Sequence, residues 1–296
     1  MSASRDPDRV DWTGATIPFL LVHAAALAAP FLAPATPGLV GLAAALYALR
    51  MFGITAGYHR YFAHRAYRTG RGFQLVLAWL GGMSAQKGAL WWAAHHRDHH
   101  RWSDAPEDLH SPIQRGFWWS HVGWFLVGRH EATRLDRIGD FARYPELRWL
   151  DRWHLVPPAA LGVGLWLAGG APAFLWGFCV STTALWHGTF VINSLAHVVG
   201  RRRYETGDES RNSLGLALLT LGEGWHNNHH FYASTANQGW FWWELDVSYL
   251  ALRLLERVGL VRDLRTPPPH VKYAHLRPAA PAAASGAGRP AEEAAA

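Results

Sequence analysis

Two long stretches of this chain carry no charge. No Asp, Glu, Lys or Arg occurs in residues 12–49 or 153–200. Each stretch is long enough for two helices of about 20 apolar residues, the length that crosses the hydrocarbon core of a bilayer. The first is broken by Pro34-Ala35-Thr36-Pro37-Gly38 and the second by Gly169-Gly170-Ala171-Pro172, both of which read as turns. The pattern predicts helices over 17–32, 39–57, 155–168 and 173–195, paired as two hairpins with uncharged tips on one side of a membrane.

Basic residues give the hairpins a direction. Arg60, Arg65, Arg68 and Arg71 follow the second predicted helix, and Arg201, Arg202 and Arg203 follow the fourth. The positive-inside rule then puts both termini and the long connections in the cytoplasm. Residues 72–92 are apolar too, but Lys87 interrupts them and a fifth crossing would separate the basic flanks. This segment is expected to lie in the membrane interface. The first hydrophobic run is too long for a cleavable signal peptide and lacks a small-residue cleavage site. Residues 1–11 are expected to be a polar N-terminus, 12–277 one membrane domain, and 278–296 a disordered Pro/Ala-rich tail.

Composition sharpens this picture at three points. The mean hydropathy of −0.06 resembles that of a soluble protein only because charged and apolar segments average out. The single cysteine, Cys179, excludes a disulfide framework and any cysteine-held zinc or iron–sulfur site. Seventeen tryptophans suit an aromatic belt at a membrane surface, although a sugar-binding protein would also use them. The net charge is +6, and no nucleic-acid partner is expected.

The 18 histidines need a chemical reason. Half fall in clusters: His59 and His64; His96, His99 and His100; His226, His229 and His230; and the pair Asn193 and His197. On a helix, positions i, i+3 and i+4 share a face, so each triple should present its imidazoles in one direction. The five-residue step from His59 to His64 needs a helix end or a π-type distortion to converge. Single histidines are usually packed or surface residues, and His23, His121, His130, His154, His187, His270 and His275 are read so, as is His110. Burying the clustered imidazoles without partners would cost a few kcal/mol each, which points to metal binding. Imidazole suits zinc, copper, iron and nickel, and nine histidines plus Asn193 exceed what one ion can use. Two six-coordinate ions fit the count. The Glu-x-x-His pairs of soluble di-iron bundles occur as Glu107–His110 and Glu223–His226. Both are read as coincidental, with Glu223 kept as a possible support for a histidine.

The strings Gly-Tyr-His59-Arg-Tyr-Phe-Ala-His64-Arg, His96-Arg-Asp-His99-His100, Asn193-Ser-Leu-Ala-His197 and Gly-Glu-Gly-Trp-His226-Asn-Asn-His229-His230 resemble the membrane fatty acid desaturase family, in particular its stearoyl-CoA type. The similarity runs from about residue 42 to 263. It implies an all-α integral membrane fold of four transmembrane helices under a cytoplasmic helical cap, holding an iron pair without a bridging carboxylate. It implies ligands at His59, His64, His96, His99, His100, His197, His226, His229 and His230, with Asn193 reaching one iron through water. It also places Gln86, Trp92, Thr189 and Phe190 at the bend of an acyl tunnel, where the family more often has Trp in place of Phe190. In animal members an Arg–Asp pair after the tunnel Trp helps hold the CoA head, and here those positions are Ala94 and His95.

The implied reaction is O₂-dependent insertion of a cis double bond, Δ9 by resemblance, into a saturated acyl chain carried as acyl-CoA or acyl-lipid. An unactivated methylene has no acidic proton, so the oxidant must come from O₂ and a redox metal. Asp98, Asp104 and Glu223 are candidate acceptors that orient ligand histidines. Electrons are expected from a separate ferredoxin, rubredoxin or cytochrome b5-like donor with its reductase, since no such domain is evident in the sequence. A membrane hydroxylase using the same histidines is the first alternative. A metal transporter is the second, and it would want ionisable residues at mid-membrane, where only His23 and His187 stand.

Overall fold

The computed structural model describes residues 8–274. The expected tail 278–296, His275 and most of the polar N-terminus lie outside the described residues. Helix α1 (Ile17–Leu32) follows a π turn, Trp12–Thr16, capped by Asp11 accepting from the Gly14 amide at 2.9 Å. Helix α2 (Pro37–Phe52) starts where the sequence places proline just inside a capping threonine, Thr36. It continues without a break into an 11-residue π-helix, Gly53–Ala63.

Among the described residues, three helices are long and apolar enough to cross a membrane: Gly14–Leu32, Pro37–Ala63 and Val156–Ser194. The last has 39 residues, about 58 Å at helical rise, nearly twice the thickness of a hydrocarbon core. It is not straight. Gly169 and Gly170 leave the helical region, Gly170 at φ +62°, which a glycine adopts without a Cβ penalty. The two limbs, Val156–Ala173 and Phe174–Ser194, then lie against each other. A methyl group added at Gly162 would stand 3.2 Å from the Phe174 ring, and one at Gly177 3.2 Å from Leu165. The turns expected at 34–38 and 169–172 are therefore where the chain breaks. On the outer faces Phe31 is 87% exposed and Leu167 79%, a surface suited to hydrocarbon and not to water. Between the helices the guanidinium of Arg50 is fully buried, bonded to Thr182 Oγ1 at 2.7 Å, Met83 O at 3.2 Å and the Ser181 hydroxyl.

The single interfacial helix expected over 72–92 is two helices, α3 (Arg71–Gly82) and α4 (Ala89–Trp102). The turn between them holds Ala85 and Lys87 at φ +55° and +65°, which no helix tolerates. Helix α3 is one-sided as expected of an interfacial helix, with Gln74, Leu77 and Ala78 buried and Leu75 and Val76 exposed. Helix α4 instead turns inward and carries the second histidine cluster. The remaining layer includes helices Leu214–Leu219, His226–Phe231 and Val247–Arg257. Two-residue strands Arg68–Thr69 and Val261–Arg262 pair antiparallel and tie this layer to the chain just beyond the π-helix. A core of Tyr58, Phe62, Leu77, Leu90, Ile138 and Leu252 packs where the π-helix, α3, α4 and this layer meet.

Candidate metal centre

The π-helix explains the first cluster. Its hydrogen bonds close five residues back, as in His64 N to His59 O at 3.1 Å, so a five-residue step brings both imidazoles inward. The His59 and His64 ring centroids stand 4.8 Å apart. The other two clusters lie on α4 and on His226–Phe231, but they do not point one way. His59, His64, His96, His100 and His229 form one group, and His99, His197, His226 and His230 a second. Consecutive helix positions are about 100° apart, so the i+3 and i+4 histidines of a box splay into different groups. That corrects the expectation of three parallel imidazoles, while all nine expected histidines do come together.

Within each group, nitrogens face nitrogens. Nε2 of His229 is 3.0 Å from Nε2 of His59 and 2.9 Å from that of His100, and His64 and His96 approach to 2.9 Å. In the second group His197 and His226 face at 3.1 Å. Two nitrogens each about 2.1 Å from one ion and at right angles to it would be about 3.0 Å apart. Several of these contacts cannot be ordinary hydrogen bonds throughout. His197, His99 and His230 give their Nδ1–H to Asp104 (2.8 Å), Asp108 (3.0 Å) and Asp208 (2.6 Å), which leaves each Nε2 as a lone pair. The Nε2 of His230 is buried without any hydrogen-bond partner. A lone pair so placed needs a cation, and the residues fit a metal ion in each group.

Against burial, the carboxylates of Asp108, Asp104 and Asp208 raise His99, whereas other rings of the two groups are lowered. Burial first, and mutual repulsion of the rings second, hold His64, His96, His100, His226 and His229 well below the ordinary histidine value, so they are neutral and able to ligate. Burial likewise pulls His230 down to about 4, against the opposing carboxylate of Asp208. Glu223 is held at about 2 despite burial, because His59 and Arg60 stand against it. The carboxylate contacts His59 at Nδ1, behind the ring, so neither histidine group contains an acid.

Some sequence-derived roles move. Asp98 does not orient a histidine but pairs with Arg137 at 2.9 Å and Arg134 at 3.3 Å. Asp104 and Glu223 do contact histidines, whereas Asp108 and Asp208 went unrecognised because each contact spans a loop of no fixed period. His110, read as a lone packed residue, groups with His99 and Asp108, its ring 4.4 Å from that of His99. His23, His187 and His121, also read singly, form a hydrogen-bonded chain at 3.1 and 2.9 Å that ends on Ser194, apart from both groups.

An apolar cavity of about 410 Å³ touches the first group at His96. Gln86, Trp92, Thr189, Phe190, His96 and Asn193 all line it. Gln86 Nε2 donates to Thr189 Oγ1 at 3.1 Å, bridging the α3–α4 turn to the last long helix. Trp92 stacks on His96 with centroids 4.9 Å apart. Phe190 is buried against Met51, Leu185 and Trp186 and faces no lipid. A second void of about 30 Å³, room enough for water, is bordered by Asn193, His59, His96 and His226.

Membrane-length apolar helices, two all-imidazole groups that could each hold a metal ion, and an apolar cavity that reaches the first of them define a helical, membrane-type protein. Comparison with known proteins gives the family. The profile described as "Fatty acid desaturase" matches residues 35–258, and the chain belongs to the fatty acid desaturase family. It is 34% identical over 265 residues to an sn-1 stearoyl-lipid 9-desaturase of Anabaena variabilis, covering 89% of this chain and 97% of that one. It is 36% identical over 253 residues to an acyl-CoA 5-desaturase of Anemone leveillei, covering 83% and 77%. A chloroplastic palmitoyl-monogalactosyldiacylglycerol delta-7 desaturase of Arabidopsis thaliana is 34% identical over 258 residues, covering 86% and 69%. Desaturases of this family are oxidoreductases that introduce double bonds into fatty acyl chains.

Proposed function

We propose that this protein crosses the membrane four times, holds one iron in each histidine group, and uses O₂ to introduce a cis Δ9 double bond into a saturated acyl chain. The observation that carries the reading is the pair of all-imidazole groups at ligand spacing, the first of which reaches the wall of an apolar cavity through His96. The four crossings are the three apolar helices with the third folded back at Gly170, and the exposed Arg65, Arg68 and Arg71 favour a cytoplasmic metal face and termini.

When bound, the irons supply the redox chemistry that removes hydrogen from unactivated carbons with O₂ and two external electrons. His59, His64, His96, His100 and His229 hold one, and His99, His197, His226 and His230 the other. Asn193 borders the small void beside the rings and would reach one iron through a water held there. The carboxylates behind the rings fix tautomer and direction. Gln86 and Thr189 hold the cavity wall across from the rings, so that one C–C bond is presented while water is excluded. Balance requires two protons and two electrons for each O₂ reduced to two waters as one double bond forms. Electrons come from a ferredoxin, rubredoxin or cytochrome b5-like donor with its reductase; the single cysteine, buried Cys179, cannot hold an iron–sulfur centre.

Acyl-CoA is the carrier that the family resemblance implies. A membrane-lipid ester is the second reading, favoured by one observation: Ala94 and His95, in place of the Arg–Asp pair, are buried and offer no fixed charge to CoA phosphates. Expression in a host lacking the activity, with double-bond mapping of each lipid class and of supplied stearoyl-CoA, tests both. A Δ9 monoene is expected. A hydroxylated chain without the alkene would give the reaction to the hydroxylase alternative.

Phe190 offers a test of the cavity. Phe190→Ala should open space beside Thr189, let the chain sit in more than one register and lower the rate, since a displacement of about 1 Å can cost ~10²-fold. Mixed double-bond positions with unchanged bound iron are expected. A single isomer made at full rate would remove Phe190 from the acyl path.

A further inference from the structure

The helix Val247–Arg257 is apolar on two sides. Ser248 and Leu252 are buried against the protein, whereas Val247, Leu250, Leu254 and, just past its end, Val258 form an exposed stripe at helical spacing. Leu254 is 61% exposed and Val258 69%. Trp242, at 92% exposure, Trp243 and Leu245 just before the helix are exposed as well, as are Leu214 and Leu218 of a short helix in the same layer. Single exposed apolar residues are ordinary, but a contiguous run of this size marks an interaction surface. None of these residues belongs to the three membrane-length helices, so crossing the bilayer does not account for them.

The position of the stripe says what covers it. Tyr47, within α2, donates its hydroxyl to Leu219 O at 2.6 Å, which holds the Leu214–Leu219 segment against an apolar helix. Ser248 N donates to Leu221 O at 2.9 Å, and the Ser248 and Thr55 hydroxyls meet at 2.6 Å. These bonds hold the buried side of the helix Val247–Arg257 against the π-helix that ends the second membrane-length segment, with its exposed stripe turned away from the protein there. Exposed Arg253 and Arg257 flank it, with Glu256 as the nearby acid, 3.5 Å from Arg253. Two tryptophans, an apolar helix face and flanking arginines are the composition of a segment lying in a lipid headgroup layer.

We propose that residues 242–258 lie on the bilayer surface, apolar side chains at the acyl–headgroup boundary and Arg253 and Arg257 on anionic lipid phosphates. The contact bears on the metal site through one path. Asp246 caps this helix by accepting from Tyr249 N at 2.9 Å and pairs with Arg60 at 2.9 Å. Arg60 in turn holds Glu223, the carboxylate behind His59. Lipid contact along the stripe braces that network from outside.

The inference rests on the membrane reading above, and the test separates the two. The full chain carrying Cys179→Ser is spin-labelled at single cysteines replacing Leu250 or Leu254, with Phe31→Cys on α1 as the lipid reference and Glu107→Cys as the water reference. In phospholipid nanodiscs containing anionic lipid, the ratio of collisions with oxygen to collisions with a nickel chelate is measured. Ratios at 250 and 254 several-fold above that at 107 and close to that at 31 are expected. Aqueous ratios at 250 and 254 with a lipid-like Phe31 site overturn the inference alone. Shielding from both reagents overturns it in favour of a second copy or a protein partner. An aqueous ratio at Phe31 overturns the membrane reading itself.

Discussion

Replacing His229 by Ala should reduce desaturation at least ~100-fold and lower bound iron, while the chain still inserts into the membrane. His229 is central to its group, its Nε2 within about 3 Å of two other ring nitrogens, those of His59 and His100. Alanine favours the helix His226–Phe231, so the loss is chemical and not structural. Iron by plasma mass spectrometry should fall from about two per chain toward about one, because the four-histidine group keeps its rings and their three carboxylates. A variant with full iron and more than trace activity would show that the rings only pack.

The largest effect on stability is expected from Arg60→Met. Arg60 is fully buried and makes four kinds of contact: Glu223 Oε1 at 2.9 Å, Asp246 Oδ2 at 3.0 Å, Ala236 O at 2.7 Å, and packing within the π-helix. Removing the cation leaves two carboxylates buried and opposed, a change of about 3–5 kcal/mol when one partner of a buried pair is lost. Glu223 would then be free to leave His59, so iron affinity should fall as well. Melting in mild detergent and iron content measure the two consequences. Arg60→Lys should be intermediate, since one ammonium cannot bond both acids with the geometry of a guanidinium. A melting temperature for Arg60→Met equal to that of the parent would mean that the network contributes nothing to folding.

Arg60 also marks a limit of reading the chain by pattern. In sequence it is one of several arginines after an apolar run, and it was counted as a surface charge that orients the membrane. Arg65, Arg68 and Arg71 have side chains 64%, 71% and 63% exposed and can serve that role. Arg60 cannot, because the π-helix turns it inward beside His59. The same distortion was foreseen from the five-residue histidine step, yet its effect on the residue between was not.

The sequence by itself determined the apolar helices, the breaks at 34–38 and 169–170, and the nine histidines that meet. These follow from local rules: charge-free length, turn residues, and the angular spacing of side chains on a helix. Tertiary structure alone decided how the histidines divide, five and four, because a box on one helix faces two neighbours at once. It also decided which carboxylates stand behind the rings. Asp108 lies nine residues from His99, Asp104 lies 93 from His197, and Asp208 lies 22 from His230. No period links such pairs. Only the packing of α4, the last long helix and the layer that follows brings each acid to its imidazole, where burial makes an unpaired partner too costly to leave.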